Sequence, residues 1–557
     1  MRTRAIQGFF VGSSLFLAGF VPVACSGPAG PPGASATLPD GGGAGGSGAG
    51  GAKQESDAGV FDKDLKLVVS TSQEARPISP LVYGINGAKS ADATKAKLVR
   101  LGGNDLSAYG WETNNSNGGN LKGFENFAMS PGAAPGDAVS EVVKAAAANG
   151  GAAHVTVPIG DYVAADRNPG DVHSSGAGYL ATRFKKNKAT KGGPLAATPD
   201  LNDDSVYEDE FTNWVKAQAG STPVLFSLDN QPELWSDDHA ESHPTKSTYA
   251  DVIARNIQYA KMIKQVWPGA PVTGYASYGW QGYMNLQNAT DAQSKMFVTT
   301  YLDAMKQAEA DSGGRLLDYL DIHWYPEAQG GGVRIIAPDA GPEIQKARLQ
   351  APRSLWDSSY HETSWINDQL QASAESINLI PRAKGWISDH YPGTKLAISA
   401  WYYGGGADIS GAIATADVLG IFGREGVDAA AVDFPPGVDD SYTIAGFLTY
   451  LNYDGKGGQF GDTSVKATST DKEGFSIYAS TRSSDPSKVV IIALNKRTEA
   501  QNATLTIEGP SSYGACAVYE LDSTAPTFGQ QPMLMASMPS TFSFKVPGRS
   551  ISVIVPQ

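Results

Sequence analysis

Residues 225–235, with the sequence LFSLDNQPELW, place polar side chains at the end of an apolar stretch. The apolar part is typical of a buried β-strand, and Pro232 ends it in a turn. Asn230 and Gln231 have side-chain amides, which donate and accept hydrogen bonds but cannot protonate a leaving group. The segment therefore predicts a site for polar groups and leaves open which residue would supply acid or base.

Eight short apolar segments are candidate strands that could position such a turn. They are VYGIN (82–86), LVRLGGN (98–104), AHVTVPI (153–159), VLFSLDN (224–230), VTGYAS (272–277), LDIHWY (320–325), KLAISA (395–400) and AAAVDF (429–434). Amphipathic helices lie between several of them, most clearly at 249–267 and at 409–424, before Gly426. This alternation predicts the α/β class and a closed (β/α)8 TIM barrel. An open doubly wound sheet is the alternative, but no GxGxxG motif follows the first strand.

The sequence pattern changes after about residue 470. Alternating strands without helices follow, in SKVVIIALNKRT, NATLTIEG, ACAVYEL, STFSFKV and SISVIVPQ. They predict a C-terminal antiparallel β-sandwich domain at 469–557, joined by a strand within 61–78, with the barrel at 79–468. A module of this kind could bind sugar, but we favour a packing companion for the barrel.

The N-terminus resembles a targeting segment. Arg2 and Arg4 precede an apolar run, and Cys25 follows Val-Ala, which predicts a signal peptide over 1–25 and lipidation of Cys25. Residues 26–60 are rich in Gly, Ala, Ser and Pro and predict a flexible linker. We expect an exported protein, a bacterial lipoprotein at the cell surface or outer membrane, or otherwise a secreted one. The lipid anchor is the one contact with a membrane that we expect.

Composition restricts the partners. The chain has 57 Asp and Glu against 43 Lys and Arg, a net charge of −14, which argues against nucleic acid. A neutral polysaccharide is compatible with this charge. Cys516 is the other cysteine, so no Cys-based zinc site is expected, and the Asp454 and Asp462 segment does not match an EF-hand. We predict no metal site, no cofactor and a monomer.

Several segments, in order, resemble glycoside hydrolase family 44, a family of endoglucanases and xyloglucanases. They are SPLVYGIN (79–86), LGGNDLSAYGWETNNSN (101–117), SLDNQPELW (227–235), YGWQGYMNLQ (278–287), DIHWYP (321–326), RSLWDSSYHETSWI (353–366), KLAISAWYYGGG (395–406) and NYDGKGGQFGDTSV (452–465). The resemblance runs from about residue 65 to the C-terminus. It implies a barrel with a β-sandwich and a β-glucan as ligand.

The family retains anomeric configuration with two glutamates. One ends strand four in Asp-Asn-Glu-Pro as acid/base, and the other ends strand seven, in a segment like Ile-Thr-Glu-Tyr-Asn-Tyr-Gly, as nucleophile. The resemblance assigns these roles to Gln231 and Ala400, so both carboxyl groups are expected to be absent. At the end of strand eight, where the family has a Trp, Asp433 is the aligned residue.

Two other carboxyl groups could restore hydrolysis. Glu233 lies two residues after Gln231, and Asp433 ends the strand next to Ala400. Neighbouring strands lie about 4.8 Å apart, so Asp433 could reach the space that Ala400 leaves. The alternative is that Glu233 is a solvated loop residue and Asp433 a hydrogen-bonded residue of the barrel mouth.

The remaining polar and aromatic residues at predicted strand ends favour binding of a neutral polysaccharide by stacking and hydrogen bonds. The candidates are Asn230, Trp111, Glu112, Trp280, Tyr283, His323, Tyr325, Trp401 and Tyr402. Our leading hypothesis is a surface-tethered relative of family 44 that binds β-1,4-glucan or xyloglucan without retaining hydrolysis. The alternatives are an active endo-β-glucanase that uses Glu233 and Asp433, and a structural surface protein without a ligand.

Overall fold

A computed structural model describes residues 65–196, 198–292, 294–337, 341–371, 373–435 and 437–557. The predicted signal peptide, the lipidation site at Cys25 and the predicted linker lie outside the described residues. Within the part of the chain that is described, no helix is both long enough and apolar enough to cross a membrane.

Eight parallel strands close into a barrel, which confirms the predicted fold class. Strands one to eight are Gly84–Asn86, Leu98–Leu101, Ala152–Val157, Val224–Leu228, Val272–Ser277, Tyr319–Trp324, Lys395–Trp401 and Ala429–Val432. They pair in sequence order, and strand eight pairs with strand one. Each observed strand falls on a predicted segment, because short apolar runs bounded by turn residues are the pattern of strands buried on both faces.

Helices separate the barrel strands. Those of the described residues are Ala91–Thr94, Asp137–Ala148, Tyr179–Arg183, Glu208–Ala219, Trp235–Asp238, Tyr249–Val266, Trp280–Asn285, Phe297–Ser312, Pro342–Gln350, Trp365–Gln371, Leu379–His390, Ile409–Glu425 and Ser441–Leu451. Thr248 caps the predicted helix at Tyr249–Val266, and Gly426 ends Ile409–Glu425 in the left-handed conformation.

Short paired strands lie in the loops at the carboxyl ends of the barrel strands. They are Asn115–Asn117 with Asn126–Ala128, Tyr162–Ala164 and Ser205–Tyr207 with Phe184–Lys188, and Gln329–Gly330 with Val333–Arg334. Because βα-loops surround the mouth of a barrel, these pairs stiffen its rim.

The β-sandwich begins earlier than the sequence predicts. Its strands are Leu65–Ser70, Arg76–Pro77, Thr463–Ser469, Phe475–Arg482, Asp485–Asn495, Gln501–Glu508, Ala515–Asp522, Ala525–Met535, Thr541–Val546 and Ser550–Pro556. Thr463–Ser469 pairs with Leu65–Ser70 and with Phe475–Arg482, so this strand belongs to the sandwich although it precedes the predicted boundary. Leu65–Ser70 also pairs in parallel with Gln501–Glu508.

Helix Ile409–Glu425 joins the two domains. All of its residues from Ile409 to Gly423 are buried, because the barrel covers one side and the sandwich the other. Lys496 of the sandwich forms a 2.6 Å ion pair with Asp417, and both side chains are 2% exposed. Tyr478 donates to the same carboxylate at 2.6 Å. This buried ion pair, with the hydrogen bond from Tyr478, links helix Ile409–Glu425 to the sandwich.

Candidate functional site

The turn after strand four is held by its own aspartate. Asp229 and Gln231 both have positive φ angles, 62° and 48°, a region that costs non-glycine residues about 1–3 kcal/mol. The Asp229 carboxylate accepts hydrogen bonds from Ser107 Oγ at 2.5 Å and from the backbone N–H of Ile159 at 2.7 Å and Asn230 at 2.8 Å. These bonds compensate the strained backbone and aim residue 231 at the barrel mouth.

Gln231 faces a histidine of strand six. Its side-chain amide lies 2.8 Å from His323 Nδ1, and Ser399 Oγ lies 3.2 Å from His323 Nε2. His323 is fully buried, and burial, together with the nearby Arg100 guanidinium, holds its pKa well below the usual value. The imidazole is therefore neutral at pH 7 and serves as a hydrogen-bonding group next to a neutral amide.

Arg100 of strand two lies under this pair. It is 1% exposed, donates to Asn230 Oδ1 at 2.9 Å, and its Nη2 lies 3.5 Å from His323 Nε2. Its Nε and Nη1 atoms have no hydrogen-bond partner among the described residues. An arginine inside the apolar strand LVRL was a sequence signal for a site residue, although it was not among the predicted ones.

Ala400 lies near the end of strand seven, opposite His323 in the register with strand six. The register shifts between Ile398 and Trp401, and the bulge turns Ser399 toward His323 while Trp401 packs on Phe422 and Phe447. Bulges of this kind re-aim side chains at active sites. Ala400 is 1% exposed and brings a methyl group alone to this position.

Asp433 follows strand eight at the mouth and is partly exposed. Tyr325 donates to its Oδ2 at 2.8 Å, and Asn86 Nδ2 of strand one donates to its Oδ1 at 3.0 Å. Burial raises the pKa of Tyr325 well above its ordinary value, and the Asp433 carboxylate raises it further, so the phenol stays protonated. Asn86, at the end of strand one, was missed by sequence reasoning, as was Ser399.

Glu233 is not a solvated loop residue. It is 1% exposed, and its Oε1 accepts from Ser277 Oγ at 2.6 Å and from the Tyr278 N–H at 2.7 Å. Burial raises the pKa of Glu233 to about 7. Its carboxyl group faces the end of strand five, and among the described contacts it shares no hydrogen-bond partner with Asp433.

The predicted aromatic residues fall into two groups. Tyr325 reaches the mouth, whereas Trp111, Trp280, Tyr283, Trp401 and Tyr402 are at most 5% exposed. Trp111 packs on Phe211 and Trp214, and Tyr283 donates to the His323 carbonyl. Tyr402 donates to Asp440 at 3.1 Å. The positions of these five rings give no support to the prediction that they stack on sugar, because their faces are covered by protein.

Tyr278, two residues before Trp280 in the YGW segment, has the exposed ring that was predicted for Trp280. It is partly exposed, and its ring lies 6.4 Å from that of Tyr325 at an interplanar angle of 29°. Phe434 is also partly exposed at the mouth. Trp280 was predicted as a site residue because it follows strand five, but the tryptophan is the first residue of helix Trp280–Asn285 and is buried.

Glu112, in the loop after strand two, belongs to a carboxylate cluster with Asp203 of the loop after strand three and Glu210 of helix Glu208–Ala219. One oxygen each of Glu112, Asp203 and Glu210 lies within 4.8 Å of the others, an arrangement that could hold a metal ion. However, Lys185 Nζ lies 3.2 Å from Glu112 and Lys191 Nζ lies 2.7 Å from Glu210. Burial raises the pKa of Glu112 to about 7, against the opposing effect of Lys185. The two ammonium groups already supply positive charge to this cluster.

Comparisons with known proteins agree on one family. The sequence profile of glycoside hydrolase family 44 matches residues 111–328. Endoglucanase A of Paenibacillus lautus is 38% identical over 513 residues, which cover 88% of this chain and 72% of that protein. The beta-mannanase/endoglucanase A of Caldicellulosiruptor saccharolyticus is 38% identical over 516 residues, 87% of this chain, but the chain spans only 38% of that protein's length.

A solved structure matches both domains. The family 44 xyloglucanase of Paenibacillus polymyxa, in a structure with xyloglucan, superposes with a TM-score of 0.84 and 34% sequence identity. The match covers 89% of this chain and 100% of that one.

Proposed function

The chain belongs to glycoside hydrolase family 44, and from this membership we propose that its barrel mouth recognises β-1,4-glucan of the xyloglucan type without the family's retaining hydrolysis. The names of the relatives support the ligand class: two are endoglucanases, and a third is a xyloglucanase solved with xyloglucan. Fold alone does not determine function, so the proposal depends on the residues at the mouth.

The observation that carries the proposal is the chemistry at positions 231 and 400. Retaining hydrolysis needs two carboxyl groups about 5 Å apart, one to protonate the leaving oxygen and one to attack the anomeric carbon. Gln231 has an amide beside the neutral His323, and Ala400 has a methyl group. Loss of general acid catalysis alone lowers rates by about 10² to 10⁴.

The mouth keeps groups suited to a neutral glycan. The partly exposed rings of Tyr278 and Tyr325 offer apolar faces, and Gln231 and Asn86 offer amides beside them. Aromatic faces with a few converging polar groups bind sugars through stacking and hydrogen bonds, and this binding needs no proton transfer.

An alternative is an active endo-β-glucanase that uses Glu233 and Asp433. The hydrogen bonds of Asp433 at the mouth favour a role for this residue. The contacts of Glu233 do not, because its carboxyl group is buried against Ser277 and Tyr278. A relocated pair would need sub-ångström placement of both groups.

Affinity electrophoresis in gels that contain xyloglucan or carboxymethylcellulose tests the proposal, with reducing-sugar release measured on the same polymers. We expect retarded migration without release. Release that disappears in Glu233→Gln or Asp433→Asn would establish the alternative enzyme. Unretarded migration on every β-glucan, without release, would leave the structural surface protein as the explanation.

We also propose that lipid on Cys25 and the linker at 26–60 tether the domains to a bacterial membrane. The basic and apolar residues before Cys25 support this location. Expression of the full chain in a bacterium, followed by membrane fractionation, tests it. Cys25→Ser should move the protein from the membrane to the soluble fraction, and unchanged membrane association of this variant would contradict lipidation.

A further inference from the structure

A hydrogen bond spans the end of strand seven. Tyr325 follows strand six and Asp433 follows strand eight, and strand seven lies between them in the barrel. The Tyr325 hydroxyl nevertheless donates to Asp433 Oδ2 at 2.8 Å. Tyr325 and Asp433 therefore meet at the carboxyl end of the barrel next to strand seven, the strand that contains Ala400.

The backbone and a second donor hold Asp433 in this place. Its N–H donates to the Trp401 carbonyl at 3.0 Å, which fixes the residue against strand seven. Asn86 Nδ2 donates to Oδ1 at 3.0 Å from the opposite side. Two donors orient the carboxylate, and its partial exposure leaves it open to the mouth.

We propose that Asp433 is a nucleophile toward β-glucosides whose leaving groups depart as stable anions, such as phenolates or phosphates. The inference rests on the proposed function, because the mouth must first hold a β-glucosyl unit. It adds a glycosyl-transfer activity that polysaccharide substrates would not reveal. Asp and Glu carboxylates form covalent intermediates of this kind, and the two donors hold the Asp433 carboxylate in one orientation.

The first step balances without an acid. One Asp433 oxygen forms a bond to the anomeric carbon while the bond from that carbon to the leaving oxygen breaks, and the electron pair departs with the phenolate or phosphate. The alkoxide that a polysaccharide would release is far more basic, so its oxygen has to be protonated as the bond breaks, which Gln231 cannot do.

The second step is slow for the same reason. Water attacks the anomeric carbon, the bond to Asp433 breaks, and the water proton passes to the solvent. With an amide at 231 no side chain there takes that proton, so the glycosyl ester accumulates. Azide is already anionic and needs no base, so it should release the ester faster than water.

The test uses the full chain with 2,4-dinitrophenyl β-cellobioside. We expect a burst of dinitrophenolate close to one equivalent per protein, a mass increase of one cellobiosyl group on the intact chain, and faster turnover with azide. Asp433→Asn should abolish the burst and the adduct. Asp439→Asn, an exposed carboxylate of the same loop, should leave both unchanged.

Gel retardation by xyloglucan separates the possible failures. Retardation without a burst, or a burst that persists in Asp433→Asn, would overturn the nucleophile while leaving the proposed binding function intact. Absence of both retardation and burst would overturn both proposals. Asp433→Asn could also lose retardation. In that case the adduct on the parent protein is mapped by proteolysis and mass spectrometry, and an adduct on a peptide without residue 433 would refute the assignment.

Discussion

Gln231 and His323 lie 2.8 Å apart, an amide against an imidazole that the interior keeps neutral. The pair joins strand four to strand six across the floor of the mouth. An isosteric glutamate could take the place of Gln231 with the same neighbours, because it differs only in having a carboxylate oxygen where the amide has its nitrogen.

Restoring both glutamates should give hydrolysis. In Gln231→Glu with Ala400→Glu, we expect reducing-sugar release from xyloglucan at least about 10²-fold above the parent, because acid and nucleophile act together. Ala400→Glu alone is the matched control and should remain close to the parent, because residue 231 still cannot supply the acid. Gln231→Glu alone should also release sugar if Asp433 is the nucleophile, and should remain close to the parent if it is not. An inactive double variant that still binds xyloglucan would mean that other contacts of the mouth no longer fit the transition state.

Tyr278 should contribute to glycan binding. Tyr278→Ala removes a partly exposed ring at the mouth, and loss of one stacking contact of about 0.5–1.5 kcal/mol weakens binding up to roughly tenfold. Retardation in xyloglucan gels at graded concentrations measures the change. Tyr519→Ala, which removes a partly buried ring of the sandwich, is the control and should bind like the parent. Equal affinity of both variants would exclude Tyr278 from the binding surface.

Glu233 should make stability depend on pH. Burial raises its pKa from 4.5 to about 7, so between these values the folded state holds more protons than the unfolded state. Its contribution to the free energy of unfolding therefore falls as pH rises through this window, by about 3 kcal/mol in total. Glu233→Gln should remove this fall, measured by denaturant unfolding at pH 5 and pH 8.

The control for that experiment is Glu141→Gln, an exposed glutamate of helix Asp137–Ala148. Its difference in unfolding free energy between the two pH values should match that of the parent. If Glu233→Gln also matched the parent, the buried carboxyl group would not be the one that titrates.

The ion pair between the domains should stabilise the whole chain. Lys496→Met leaves Asp417 buried without its cation, and removal of one partner of a buried pair costs about 3–5 kcal/mol. Thermal unfolding measures the loss. Lys466→Met breaks the exposed pair with Glu74 and should cost under about 1 kcal/mol. Similar melting temperatures of the two variants would show that Asp417 is solvated in solution.

The barrel was predictable because apolar strands and amphipathic helices alternate along the chain. The site was predictable only in part. Asn230, Gln231 and His323 are brought together because each follows or ends a parallel strand, and such ends meet at one edge. The charge of Arg100 within an apolar strand was a signal, but its partners Asn230 and His323 lie 130 and 223 positions further along the chain and could not be read from the strand itself.

Exposure could not be predicted from residue type. Trp280 and Tyr278 share one short segment, but Trp280 begins helix Trp280–Asn285 and is buried, whereas Tyr278 precedes the helix and remains partly exposed. The buried position of Glu233 likewise depends on Ser277, the last residue of strand five, and on Tyr278, which follows it. This contact joins two segments that are separate in the sequence.

Strand Leu65–Ser70 makes hydrogen bonds to partners 404 and 438 positions further along the chain. During synthesis it would leave the ribosome long before those partners exist, so the sheet is completed only when nearly all of the polypeptide is available. Until then an unpaired apolar edge is exposed to other chains.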